Sequence, residues 1–377
     1  MLRRICAPCF SAAFRFLLVS LFLMVYITPL FAVPVFQVQA IGPEWHSSTA
    51  TAISATGAVV GNYQLSDGTY RAYLWQDGQA SPLSLPGDAV QSWAAAIGGT
   101  GQAGGYTDSR QATQGLIWDN LGNPSTTAGA YVLGMNANGD AAGMGVASDG
   151  SGYAFVTRNG VMTNLGQPAG GGWSSANAVN AGGAVAGTAM NGSGNFQAFY
   201  AAPDNQILLL GGLGGANSYG MAVSGSGTVA GHAQTSSGST IATIWLGTTA
   251  HSLGTLGGTN SYGYGINASG QVVGYSDLTG DGGTAAFLFD NGQLYNLNGL
   301  LGEGSGWQLL AAYGMNDNGQ IVGRGIYQGT EQAFLLTPQI PQLPNDEGGT
   351  GIPEPASLLL VGAPLLAVAI LRIRSRY

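Results

Sequence analysis

Small and apolar positions along the chain fall into a nine-residue figure that returns seven times. It runs apolar residue, often Asn, two variable residues, Gly, one variable residue, two small or apolar residues, Gly. The copies are Ile53–Gly61, Ile97–Gly105, Met135–Gly143, Val179–Gly187, Val223–Gly231, Ile266–Gly274 and Met315–Gly323, and their closing glycines are 44, 38, 44, 44, 43 and 49 residues apart. Roughly 12 residues further on, each unit carries a bulky block such as Ala72-Tyr73-Leu74-Trp75 or Ala286-Phe287-Leu288-Phe289. Several units then end in Leu-Gly, as at Leu165-Gly166 and Leu253-Gly254. Turns such as Asn267-Ala268-Ser269-Gly270 place Asn and Gly where positive φ is required. The following Val272-Val273 favours strand through β-branching. Small residues and the closing glycine suit an inner strand crowded near an axis. Four short strands in about 44 residues make a propeller blade, so the pattern predicts an all-β, seven-bladed β-propeller over residues 33–340, with a β-solenoid as the alternative.

The seventh unit stops at Phe334-Leu335-Leu336-Thr337 without a Leu-Gly strand, and the missing strand precedes the first unit. Val35 to Gly42 stands in the register that His251-Ser252-Leu253-Gly254 occupies before a later repeat. That offset predicts that the N-terminal strand completes the seventh blade and closes the ring. The second unit, with Gly98 for Asn and Ala103-Gly104 for the apolar pair, is expected to form an irregular blade.

Composition sharpens the picture at the two ends. Among 377 residues there are 64 glycines, and charged residues make up 7%. Between Val33 and Ile352 only Arg71, Arg110, Arg158 and Arg324 face seventeen acids, and lysine is absent. An acidic, lysine-free body argues against nucleic acid, whose binding rests on phosphate neutralisation. Arg3, Arg4 and Arg15 before the apolar run Phe16 to Phe31 read as a secretory signal peptide ending at Ala32, with Ala40 as a second cleavage site and an uncleaved anchor as the alternative. Cys6 and Cys9 both fall inside it, so the mature chain is expected to have no disulfide. Residues 341–352 read as a Pro- and Gly-rich linker. After them come Pro353-Glu354-Pro355, an apolar helix from Leu358 to Leu371, and the basic tail Arg372, Arg374 and Arg376. Fourteen helical residues make a minimal membrane span. Arginines at both chain ends place the body outside the inner membrane.

Residues 353–377 closely resemble the PEP-CTERM sorting signal of Gram-negative bacteria, with all three elements in order. The resemblance implies an exosortase as partner, transient insertion in the inner membrane, and delivery to the cell surface or extracellular matrix; a permanent tail anchor is the alternative. The repeats resemble the HAF family of extracellular repeats, most closely from Leu253-Gly254-Thr255-Leu256-Gly257-Gly258 through Gln271-Val272-Val273-Gly274 to Ala286-Phe287-Leu288. None of the units has the family's His before Ala-Phe, and the family offers no catalytic residues to transfer.

Candidate chemistry is sparse. Asp277 and Asp281, four apart in a glycine-containing loop, resemble part of a calcium site but lack a further acidic ligand, so a solvated hairpin is the preferred reading. His46, His232 and His251 show no metal-ligand spacing, and neither a metal nor a cofactor is expected. Trp45, Trp93, Trp173 and Trp307, and likewise Tyr219 and Tyr262, lie shortly before the repeat figure. If they surround one face they would offer a sugar-stacking surface; the alternative is packing between blades. Trp75, Trp118 and Trp245 sit in the bulky block and are expected in the core. The leading expectation is therefore a monomeric, non-enzymatic exported protein that binds or organises exopolysaccharide. A polysaccharide hydrolase or lyase would need two carboxylates converging at about 5–10 Å. A periplasmic interaction scaffold is the third reading.

Overall fold

The computed structural model describes residues 35–42, 47–99, 101–108, 113–127, 131–280 and 282–339. The expected signal and C-terminal helices, the linker, Trp45, Asp281, Pro353, Glu354, Pro355, Arg372, Arg374 and Arg376 lie outside these residues. The described residues form seven four-stranded antiparallel sheets and one short 3₁₀ turn, Leu297–Leu300. No helix among them is long and apolar enough to cross a membrane.

Blade 1 comprises Ser48–Ile53, Val59–Gln64, Tyr70–Gln76 and Gln79–Pro82, paired in that order. Blades 2 to 6 repeat the arrangement over residues 91–126, 131–166, 174–209, 214–252 and 257–296. Blade 7 takes three strands from residues 307–339 and its fourth from Val35–Ala40, which runs antiparallel to the third with Val35 opposite Gln339 and Ala40 opposite Phe334. The first strand of every blade touches the first strands of both neighbours, blade 7 against blade 1 included. The molecule is a closed seven-bladed β-propeller, completed by its N-terminal strand as the offset of the sequence repeat predicts.

One assignment is corrected. The closing glycines belong to the second strand of each blade; the innermost strand is the segment just before each repeat figure. The glycine is nonetheless obligatory. In each blade a Cβ at that position would collide with a first-strand carbonyl oxygen, that of Thr49 for Gly61 and of Tyr262 for Gly274. In five blades an aromatic ring from the third strand covers the same spot, such as Tyr73 over Gly61 and Phe287 over Gly274. Those rings, with Phe155, Phe199 and Phe334, are fully buried and form the core between blades. Trp118 and Trp245 are also fully buried, and their indole nitrogens donate to the Ser84 and Gly211 carbonyls; Trp75 is half-buried. Blade 2 keeps the regular four strands, because Val132 and Met135 of blade 3 fill the space left at Gly104.

Polar latches tie blade to blade. The hydroxyls of Ser92, Ser174, Ser218 and Ser261, each early in a first strand, accept the amide of Ala72, Ala154, Ala198 and Ala242 in the preceding blade at 2.8–3.1 Å. Ser48 does the same for Ala333 at 3.0 Å, across the closing seam. The Leu of Leu-Gly completes the junction: Leu253 donates its amide to the Ala242 carbonyl at 2.8 Å, and Ile41 to the Ala333 carbonyl at 3.1 Å. At the opposite end of the blades, the Asn of the repeat turn closes its own turn through Oδ1 and, in three copies, donates Nδ2 to the next blade, whereas Asn267 donates to Gln271 of its own turn. Asn136 reaches the Asn180 carbonyl at 2.9 Å, Asn180 that of Ser224 at 2.8 Å, and Asn316 that of Ser54 at 3.0 Å. The repeat's Asn is thus both turn former and inter-blade fastener.

Ser48 is 2% exposed, so Ser48→Ala strands the buried Ala333 amide without an acceptor. The expected loss is about 1–3 kcal/mol in urea unfolding. Removing Val35–Ala40 altogether is expected to abolish the cooperative transition.

Candidate functional site

The bulges that accompany the closing glycines build the most distinctive part of the molecule. In every first strand the register slips by one residue directly after the residue that pairs with the glycine. A bulge leaves one residue outside the ladder and turns it away from the sheet. Those residues are Thr51, Ala95, Leu133, Asn177, Met221, Tyr264 and Tyr313, and all seven line one axial cavity of about 320 Å³. Asn62, Trp93, Ala94 and Tyr106 extend its wall on blades 1 and 2.

Two residues before each bulged residue, the residues paired across the first and second strands form a tier. It comprises Thr49/Asn62, Trp93/Tyr106, Tyr131/Met144, Ser175/Thr188, Tyr219/His232, Tyr262/Tyr275 and Ala311/Arg324. Aromatic rings chain along it. Trp93 stacks between Tyr70 and Tyr106 with centroids at 6.1 and 5.1 Å, and Tyr106 meets Tyr131 edge-on at 5.0 Å. Across blades 5 to 7, Tyr219 stacks on His232 at 5.0 Å, His232 meets Tyr262 at 5.1 Å, Tyr262 stacks on Tyr275 at 4.9 Å, and Tyr264 meets Tyr313 at 5.3 Å. Such offset and edge contacts are the favoured aromatic geometries.

Burial sets the electrostatics of this belt. It raises the phenols of Tyr106, Tyr264 and Tyr275 above their ordinary pKa; neighbouring tyrosines add to the effect at Tyr106 and Tyr264, whereas at Tyr275 the hydrogen bond with Tyr264 opposes it. His232 is 9% exposed, and burial brings its pKa down to about 4, against a smaller upward pull from a hydrogen bond to the Gly263 backbone. Its Nδ1 is buried with no partner among the described residues. Arg324 loses solvation on burial, but Tyr313 (Nε to hydroxyl, 3.0 Å) and Glu331 (2.8 Å) outweigh that loss and hold its pKa above the ordinary value.

Of the aromatic residues singled out in the sequence, Trp93, Tyr219 and Tyr262 come together in this tier. Trp173 and Trp307 do not. Trp173 packs edge-on against Phe196 at 5.5 Å and lies over Gly152, while Trp307 stacks on Tyr327 at 5.0 Å beside a separate cavity lined by Phe36 and Val38. Phe196 in turn lies 5.9 Å from Tyr219, so Trp173 reaches the tier only through it. Asp277 accepts the backbone and side-chain N–H of Asn260 at 3.1 and 2.9 Å, and no cluster of three metal-ligating side chains occurs among the described residues. Other acids serve turns. Asp67 accepts Thr69, Asp119 accepts Leu121 and Asn123, and Asp149 accepts Ser151; these hydrogen bonds lower all three carboxyl pKa values. Asp67 and Asp77, or Asp140 and Asp149, sit at opposite ends of their blades, about 20 Å apart for a six-residue strand.

Sequence reasoning missed Tyr106, Tyr131, Tyr264, Tyr275, Tyr313, His232 and Arg324. A signal was present, because the second-strand half of the tier is always the residue after a closing glycine, and the bulged residue always stands two before the repeat figure.

Residues 251–340, essentially the sixth and seventh blades, match the family described as a protein of unknown function (DUF3466). No curated protein matches the chain in sequence. Among solved structures, TolB from Acinetobacter baumannii is similar at 11% identity and a TM-score of 0.41, over 78% of this chain and 63% of that one. A gluconolactonase from Xanthomonas campestris is similar at 13% identity and a TM-score of 0.38, over 82% and 99%. A mutant Aleuria aurantia lectin in complex with alpha-methyl-L-fucoside is similar at 11% identity and a TM-score of 0.38, over 80% and 96%. The likeness is one of fold alone.

The depressed His232 pKa carries a sign. Between pH 6.5 and about 4 the unfolded chain binds a proton that the folded chain refuses, so stability falls as the pH drops through this window. The shift corresponds to about 3 kcal/mol at most. Urea midpoints across pH 4–7 should show this decline, and His232→Phe, which keeps the stack and removes the titration, should flatten it. The stability that the carboxylates of Asp67, Asp119 and Asp149 contribute is present above about pH 3.8 and is lost only as the pH falls below it, because their pKa values are depressed from 3.8.

Proposed function

We propose that the protein is an exported, non-enzymatic surface or matrix protein whose propeller binds exopolysaccharide at the mouth of its central channel. The observation that carries this reading is the register of Trp93, Tyr106, Tyr131, Tyr219, Tyr262 and Tyr275, which places aromatic rings from four blades in one tier beside an axial cavity. Sugar rings expose C–H groups that rest against the negative face of an aromatic ring, while their hydroxyls bond to phenols and amides set among those rings. Binding is favoured over hydrolysis because the paired carboxylates within blades are held at opposite ends, and none lines the cavity.

The sorting part of the reading rests on sequence. Pro353-Glu354-Pro355, the apolar run and Arg372, Arg374 and Arg376 suit recognition by an exosortase at the inner membrane, followed by delivery to the surface or matrix. Replacing Pro353, Glu354 and Pro355 with alanine is expected to leave the chain in the inner-membrane fraction of its host.

A glycan panel probed with the purified chain from Val33 onward tests the binding part. Retention of neutral polysaccharide without new reducing ends is the expected result. Trp93→Ala should weaken it at least tenfold while the far-UV circular dichroism is unchanged. Release of reducing ends would instead identify a polysaccharide-degrading enzyme, and failure to retain any glycan would leave a protein-interaction scaffold.

A further inference from the structure

The axial cavity narrows the ligand further, on the premise that the channel mouth binds glycan. Its bulged residues are unequal. Thr51 and Ala95 on blades 1 and 2 are short, whereas Met221, Tyr264 and Tyr313 on blades 5 to 7 are long. The open space is thereby displaced towards blades 1 and 2, where its wall continues into the half-buried rings of Trp93 and Tyr106. At about 320 Å³ it stands at the small end of the range of roughly 300–1,000 Å³ for ligand sites. No charged side chain lines it, and the nearby Arg324 is already engaged by Tyr313 and Glu331. Its amides are occupied as well. Asn62 clasps the Ala94 backbone through two hydrogen bonds of 3.1 and 2.8 Å, and Asn177 donates to the Gly220 carbonyl at 2.8 Å.

We infer that this cavity is a subsite for a single uncharged sugar ring at the end of a glycan chain, walled on one side by Trp93, whose faces Tyr70 and Tyr106 already cover, and hydrogen-bonded by the Tyr106 hydroxyl. A uronic acid is disfavoured, since its carboxylate would be desolvated without a cation in a body where acids outnumber arginines. The wall positions that admit the ring are Thr51 and Ala95, which makes them the specificity-determining residues of the site.

Fluorescence and calorimetric titrations of the full secreted chain test this with methyl glycosides of neutral hexoses, free uronic acids, and a neutral polysaccharide fractionated by length. The expected result is that neutral methyl glycosides bind and compete with polymer, that uronic acids do not, and that one protein binds per chain end whatever the length. Ala95→Leu should weaken both ligands at least tenfold. Tyr106→Phe, which removes only the hydroxyl, should cost severalfold and serves if Ala95→Leu does not fold. Polymer binding with a stoichiometry that grows with length, or binding untouched by both variants, would overturn the chain-end subsite while leaving glycan binding standing. Absence of binding to every glycan would remove the premise and the subsite together.

Discussion

The close approach of a first-strand carbonyl to the Cα of each closing glycine governs the rest of the molecule. Any side chain at Gly61, Gly105, Gly143, Gly187, Gly231, Gly274 or Gly323 would push the first strand off the second, because the oxygen occupies the space of the Cβ. The approach belongs to the same irregularity that slips the register by one residue, so glycine and bulge recur together in all seven blades. The bulge in turn frees one residue per blade from the ladder. What looks like a structural requirement of strand packing therefore generates the seven side chains that line the channel.

This coupling explains why the architecture could be read from the sequence while the site largely could not. Glycines, the Asn turn and the Ala-Phe block are fixed by packing, so they repeat and are visible. Thr51, Ala95, Leu133, Asn177, Met221, Tyr264 and Tyr313 share no chemistry, because nothing in the ladder constrains them. They are recognisable only by offset. The same holds for aromatic residues: Trp93, Tyr219 and Tyr262 all stand four positions before the repeat figure and reach the tier, whereas Trp173 and Trp307 stand six and eight before it and pack elsewhere. Residue type suggested a common role for these rings. Position along a strand decided it.

Ring closure was legible for a different reason. The final strand was missing from one end of the repeat and present at the other, and Ile41 takes the place of the Leu in Leu-Gly with the same amide-to-carbonyl bond to the third strand. The serine latch went unseen although Ser48, Ser92, Ser174, Ser218 and Ser261 each stand five residues before the figure. Serine is common in this chain, and its value appears only when the register shows that it meets an amide left over at the edge of the previous blade. A hydroxyl is well suited to that task, since it can accept an amide and donate to a carbonyl of the same preceding unit: Ser174 and Ser261 also donate to the Gly166 and Gly254 carbonyls at 2.6 Å.

Repetition also constrains which chemistry the channel can host. A blade supplies the same few positions to the axis each time, and its turns supply acids at the two ends of the strands, where they cap hydrogen bonds at Asp67, Asp119 and Asp149. Bringing two carboxylates together at the axis would require acids at tier or bulge positions of neighbouring blades. Those positions instead hold Trp, Tyr, His, Met, Leu, Asn, Thr, Ser, Ala and one Arg paired with Glu331. An axis furnished in this way has few means of moving protons near neutral pH, because burial raises the phenols and keeps His232 neutral. Its aromatic rings are stacked on one another along the tier. The physical character of the channel thus follows from where a repeating blade is free to vary.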